Sequence, residues 1–207
     1  MKLFAILSLL LFLASACKKG AGTFELEGQV MDESFAVPLE GATVELFRVA
    51  AGSNQMSYIA STTTKSDGKY AFSFPRTRSE AYILKVSKNM YFEETVSINY
   101  DDLELNTTNI VNCSTRAKSW IQLRIINNNP NINDHLQFIR QQGKSNCVEC
   151  CEGGMQHLYG AVDTSIYCIN DGNFPYAIEY AVYNSSNSGI LSEISTPFDT
   201  TLILLAY

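Results

Sequence analysis

Histidine is nearly absent: the 207 residues contain only His135 and His157. A mechanism built on several imidazoles, or on a histidine-rich metal centre, is short of material. Positive charge is scarce too, with 15 Lys and Arg against 21 Asp and Glu, and the cations cluster nowhere beyond Lys18 and Lys19. That argues against a nucleic-acid partner, whose phosphates need a basic stripe. No amphipathic helix longer than a few turns is visible, and no nucleophile, base and orienting group form a set, so the expectation is a protein that is not an enzyme and needs no cofactor. What is plentiful is apolar side chain, 46% of the chain, enough to bury a real core.

The N-terminus speaks to compartment. Met1-Lys2 is followed by LFAILSLLLFLASA over residues 3–16, an apolar run ending in small residues directly before Cys17. At about 20 residues for a membrane-spanning helix the run is too short, and it predicts a signal peptide over 1–16. Leu13-Ala14-Ser15-Ala16-Cys17 resembles the lipobox of bacterial lipoproteins. The resemblance implies cleavage before Cys17 and a membrane anchor on its thiol, a diacylglycerol bearing fatty chains such as palmitate. Residues 17–22 then serve as a short polar lipid tether. Because Lys18 and Lys19 stand where inner-membrane retention favours Asp, the resemblance implies the outer membrane, facing either periplasm or cell surface.

Beyond the tether, apolar residues alternate: Phe24, Leu26, Gly28, Val30; Ala42, Val44, Leu46; Tyr70, Phe72, Phe74; Tyr82, Leu84, Val86; Val96, Ile98, Tyr100. Turn signals separate them at Pro38-Leu39-Glu40-Gly41, Ser66-Asp67-Gly68 and Lys88-Asn89. Period-two strands at this spacing predict an all-β antiparallel sandwich. GQVMDESFAVPLEGATVELFR, TTTKSDGKYAFSF and YILKVSKNMYFEETVSI, in that order, resemble the carboxypeptidase regulatory-like domain of the Bacteroidota type, a transthyretin-like β-sandwich. The match covers roughly residues 24 to 113 and places this domain at 23–115. In it Asp67-Gly68 supplies a positive-φ turn, Tyr70 and Phe72 reach the core, and Asn89 takes the left-handed position before Tyr91. The resemblance is to a fold and not to an activity: neither histidine has the Glu spacing of a zinc carboxypeptidase, and the first strand has no Lys for an isopeptide bond.

Residues 116–207 predict a second β-sandwich, immunoglobulin-like, from strands at Trp120–Ile126, Val162–Ile169, Ala177–Tyr183 and Phe198–Tyr207. Trp120 is expected to fill core rather than to offer a sugar platform. A small outer-membrane barrel would need strands of about nine to eleven residues, longer than most of these.

Five cysteines follow Cys17: Cys113, Cys147, Cys150, Cys151 and Cys168. In an oxidising compartment they are disulfide candidates, with too many arrangements for the sequence to choose among. A bond from one loop cysteine to Cys168 would close roughly 16 to 20 residues and contribute about 3 kcal/mol. Vicinal Cys150 and Cys151 need different partners, because a ring between neighbours strains the peptide. Cys113 either ties the two sandwiches through the loop or stays a buried thiol. The alternative is a metal or thiol handler using Cys147, Cys150 or Cys151, Cys168 and, for metal, His157. Ser66-Asp67-Gly68-Lys69 spells Ser-x-x-Lys by coincidence, since Asp-Gly makes a turn where that chemistry needs a helix. Glu93-Glu94 and Asp101-Asp102 point to opposite faces and read as solvated surface. Asp199-Thr200-Thr201 matches a short glycosylation signal at a strand start. The functional expectation is a lipid-anchored envelope module that binds or scaffolds a protein or glycan.

Overall fold

Alternation in sequence becomes the two faces of each strand. The structure, a computed structural model, describes residues 22–53 and 55–207, and it is all-β. The helical element among the described residues is one 3-10 turn, Tyr100–Asp102. In chain order the first half supplies β1 (Thr23–Asp32), β2 (Val37–Pro38), β3 (Thr43–Ala50), β4 (Met56–Thr63), β5 (Lys69–Pro75), β6 (Ser79–Ser87), β7 (Glu94–Asn99), β8 (Thr108–Ile110) and β9 (Cys113–Thr115). β1 is the hub of one sheet, paired antiparallel with β2 and β5 and parallel with β8 and β9. The facing sheet runs β4-β3-β6-β7. Phe24, Leu26 and Val30 of β1 point inward to meet Val44, Leu46, Phe72, Phe74, Tyr82 and Leu84 in one core. Phe24 packs tilted or edge-on against Phe74, Tyr82 and Tyr100 at 5.7, 6.1 and 6.0 Å, the arrangement that aromatic quadrupoles favour.

Gly28 interrupts that inward row for a reason of space. A Cβ there would stand 1.8 Å from the carbonyl oxygen of Val111, which the chain lays across β1 between β8 and β9. The Tyr70 hydroxyl donates to the same oxygen at 2.6 Å. Gly68 takes the expected left-handed turn at φ 72°, and Tyr70 and Phe72 are buried. The left-handed residue before Tyr91, however, is Met90 at φ 66° and not Asn89. Tyr91 is buried, and its hydroxyl donates to Asp32 at 2.8 Å.

The second half supplies β10 (Lys118–Ile126), β11 (His135–Gln142), β12 (Gln156–Tyr159), β13 (Asp163–Asp171), β14 (Pro175–Val182), β15 (Ser188–Ile194) and β16 (Thr200–Ala206). One sheet runs β13-β10-β16, with β16 parallel to β10, and the other runs β12-β11-β14-β15. Ile121, Leu123 and Ile125 face Leu136, Phe138, Tyr176 and Ile178 across a second core. Trp120 is not in it. It lies on the opposite face of β10 from Ile121, half-buried on the outer surface between Ile169 and Thr200, because the inward phase of β10 belongs to the odd-numbered residues.

Only Arg116 and Ala117 separate β9 from β10, and the junction is closely tied. Ala117 donates its N–H to the Ser34 hydroxyl and accepts from Gly172 N–H, while the Asn173 amide donates to Ser34 O. Phe198 stacks on Phe35 at 6.1 Å and meets Tyr91 edge-on at 5.4 Å. Arg116 bridges Glu33 and Asp171 at 2.7 and 3.1 Å, and Lys144 reaches Asp171 from the far side at 2.7 Å.

Candidate functional site

β12 has only four residues, so one flank of the second sandwich is left open between β11 and β13. The segment from Gly143 to Met155 closes it. Gly143 is required at its root: φ is 134°, and a Cβ would meet the Tyr176 ring at 2.6 Å. Lys144 then donates its N–H to the Asn170 side chain, and the Arg140 guanidinium donates to the carbonyls of Lys144 and Cys151. Glu149 O accepts from Ile169 N–H, pinning the loop's middle to β13.

Two disulfides complete the closure. Cys151 bonds Cys168 across 17 positions, and Cys147 bonds Cys150 within the loop. Vicinal Cys150 and Cys151 thus have different partners, and Cys168 anchors the loop from a fully buried place on β13. Cys113 remains a free, half-buried thiol packed against the first core. Burial and the Glu94 charge push its pKa up to about 11, so little thiolate exists near neutrality. The junction contacts are therefore the Arg116, Asp171 and Lys144 network and the Phe35, Tyr91 and Phe198 packing, with no disulfide from Cys113.

The metal set Cys147, Cys150 or Cys151, His157 and Cys168 is not assembled. A zinc site needs thiolates, whereas these sulfurs are joined in pairs. His157 instead lies on β12, opposite Gln137, with Nδ1 2.8 Å from His135 Nε2. Among the described residues no group of three or more His, Cys, Asp or Glu stands close enough to hold a metal ion.

Beneath the loop is a cavity of about 280 Å³. Leu123, Phe138, Ile166, Tyr176 and Ile178 form apolar walls, Cys150 and Cys151 the lid, and Arg140, Glu152 and Gln156 the polar rim. Apolar walls with a few convergent polar groups are the usual features of a ligand pocket. A larger, more open groove of about 490 Å³ on the first sandwich is lined by Glu27, Gln29, Lys65 and Lys69 together with Tyr70, Ala71 and Ile110, and its charged groups are interspersed among the apolar ones. Burial raises the Tyr176 phenol pKa, opposed by the Arg140 charge, so the cavity floor stays neutral. Sequence reasoning singled out the cysteines but not Arg140, Tyr176 or Gly143. The signal available for them was the Leu136, Phe138, Arg140 alternation running into a glycine.

Cys17, the signal peptide and the tether up to residue 21 lie outside the described residues. Ser66 to Lys69 forms a turn into β5, and Thr200 is exposed at the start of β16.

Fold and site together define an all-β sandwich protein with a disulfide-closed flank. No family model matches the chain, and no curated protein matches it. Among solved structures it is similar to the TIE protein of Bacillus anthracis, at 14% identity and a TM-score of 0.40, over 90% of this chain and 34% of that one. The chain thus spans about a third of that protein's length. It is also similar to the shaft pilin SpaA of Lactobacillus rhamnosus GG, at 11% identity and a TM-score of 0.33, over 90% of this chain and 97% of the pilin. Catechol 1,2-dioxygenase from Acinetobacter sp. ADP1 aligns at 12% identity and a TM-score of 0.35, over 50% of this chain and 55% of that one. At such identities and scores, none of these likenesses bears on activity, ligand or partner.

Proposed function

We propose that the chain is an envelope lipoprotein, anchored through Cys17 in the outer membrane, whose carboxypeptidase regulatory-like first sandwich and immunoglobulin-like second sandwich form a non-catalytic module that binds or scaffolds a protein or glycan. The observation that carries the binding role is the apolar cavity under the Gly143–Met155 loop, walled by Phe138, Tyr176 and Ile178 and rimmed by Arg140 and Glu152. Two disulfides hold its lid, which suits an oxidising compartment and reduces the entropy lost when a ligand docks. The anchor rests on the resemblance of Leu13 to Cys17 to a lipobox, and β1 begins at Thr23, six positions after Cys17. Five extended residues reach about 17 Å, which would keep the first sandwich close to the bilayer.

The test has two arms. In fractionated cells the wild-type chain should sediment with outer membrane and a Cys17→Ala chain should not; equal distribution would overturn the anchor. The chain should also bind a member of an array of envelope glycans and peptidoglycan fragments, or cross-link to one envelope protein in intact cells. Gln156→Arg, a charge placed at the cavity rim, should weaken that binding at least about tenfold if this pocket is the site. Binding that ignores the substitution would move the site elsewhere.

A further inference from the structure

The chain's two histidines, 22 positions apart in sequence, meet on the outer face of the β12-β11-β14-β15 sheet. His135 pairs across the strands with Tyr159, and His157 with Gln137, which makes the imidazoles diagonal neighbours. The His135 ring is held between two tyrosine rings, Tyr159 at 4.3 Å and 17° on one side and Tyr183 at 4.2 Å and 12° on the other. Its Nε2 is therefore aimed by packing on both faces. His157 is exposed and free to turn towards it.

We infer that His135 Nε2 and His157 Nδ1 form a two-nitrogen site for a divalent transition-metal ion, with Cu(II) the ion it holds best. Imidazole suits zinc, copper and nickel, and for a given set of ligands copper binds tightest. The two nitrogens already lie within chelating reach of one another. Two nitrogens at about 2.0–2.1 Å from a metal lie about 2.9 Å apart at a right angle. The observed 2.8 Å is the hydrogen-bonded separation of the metal-free pair, so a turn of the exposed His157 ring is what would bring both lone pairs onto one ion. In the metal-free pair, one ring donates an N–H to the other. On binding, that ring shifts its proton to its own second nitrogen, so both facing nitrogens offer lone pairs and no net proton leaves. Water fills the remaining positions, and the chain's net charge of −6 favours a cation. This site is separate from the cavity and does not depend on its role.

The experiment titrates Cu(II) into the full chain, expressed without a histidine tag and with Cys113→Ser to remove a thiol that could reduce the ion. Calorimetry should give one ion per chain, and electron paramagnetic resonance should show hyperfine coupling to two imidazole nitrogens. His135→Gln and His157→Gln should each weaken binding at least about tenfold, since even groups that only orient a ligand cost about 10- to 100-fold. His157 is exposed, so its substitution should leave the melting curve unchanged and isolates the metal effect from folding. Wild-type affinity in the His157→Gln chain, or a spectrum without coupled nitrogen, would mean that the pair is a hydrogen bond only and would overturn the site.

Discussion

A single half-buried sulfur shows how local burial sets chemistry. Cys113 stands against the first core, where desolvation and Glu94 push its thiol up to about 11. At pH 8 about one in a thousand such thiols is ionised, against roughly a quarter at the ordinary pKa of about 8.5. Alkylation at pH 8 should therefore run at least about a hundredfold slower in the native chain than in denaturant; matching rates would show an open, ordinary thiol. The tyrosines answer at the other end of the scale. Burial raises the phenols of Tyr70, Tyr91, Tyr176 and Tyr207, with Asp32 adding to the shift at Tyr91. The folded state keeps these protons where an unfolded tyrosine, at about 10, has lost them. Their contribution is complete below pH 10 and is lost as pH rises above it. Denaturant midpoints should fall steadily above pH 10, and absorbance of the buried phenolates should appear together with unfolding. A flat midpoint to pH 12 would contradict the burial.

Individual strands differ in how plainly they can be read. β1 and β5 alternate along their whole length, and β3 and β6 over Thr43–Leu46 and Tyr82–Val86, because one face of each enters a core, and that much is legible. β4 is not, because Met56–Thr63 is an edge strand whose contacts with the core come from two adjacent residues, Ile59 and Ala60, so no period of two survives. The sequence predicts no strand over residues 127–161. β11 lies there, its Leu136 and Phe138 hidden behind the run of asparagines that precedes them, and four-residue β12 is too short to announce itself. In the same way, cysteine types and spacing marked the loop, yet which sulfurs meet depends on β13 lying beside it, a tertiary fact. Gly28 is legible as a motif glycine, but its reason is the Val111 carbonyl arriving from 83 positions away. Gly28→Ala should cost about 3 kcal/mol, as overpacking does. Gly41→Ala, at φ 71° with open space around it, should cost about 1 kcal/mol. Equal costs in chemical denaturation would remove the steric explanation.

Across the whole molecule the two sandwiches are joined by charge and aromatic packing at a two-residue junction. Asp171 is buried and accepts from both Arg116 and Lys144, whose side chains are 37% and 22% exposed. Partial solvation lowers the usual cost of breaking such a pair, so Asp171→Asn should destabilise by about 1–3 kcal/mol. Because Lys144 also roots the cysteine loop, the same change should broaden the interdomain angle in solution scattering and loosen the lid; an unchanged scattering profile would assign rigidity to Phe35, Tyr91 and Phe198 alone. On the proposed function the chain is lipid-anchored in the envelope and folds under oxidising conditions. Mass spectrometry of the protein taken from cells and digested without reduction tests this most directly. The expected result is an N-terminal peptide beginning at diacylglyceryl-Cys17, linked pairs Cys147–Cys150 and Cys151–Cys168, and an unmodified Cys113 thiol. A chain that keeps residues 1–16 and carries reduced loop cysteines would contradict it.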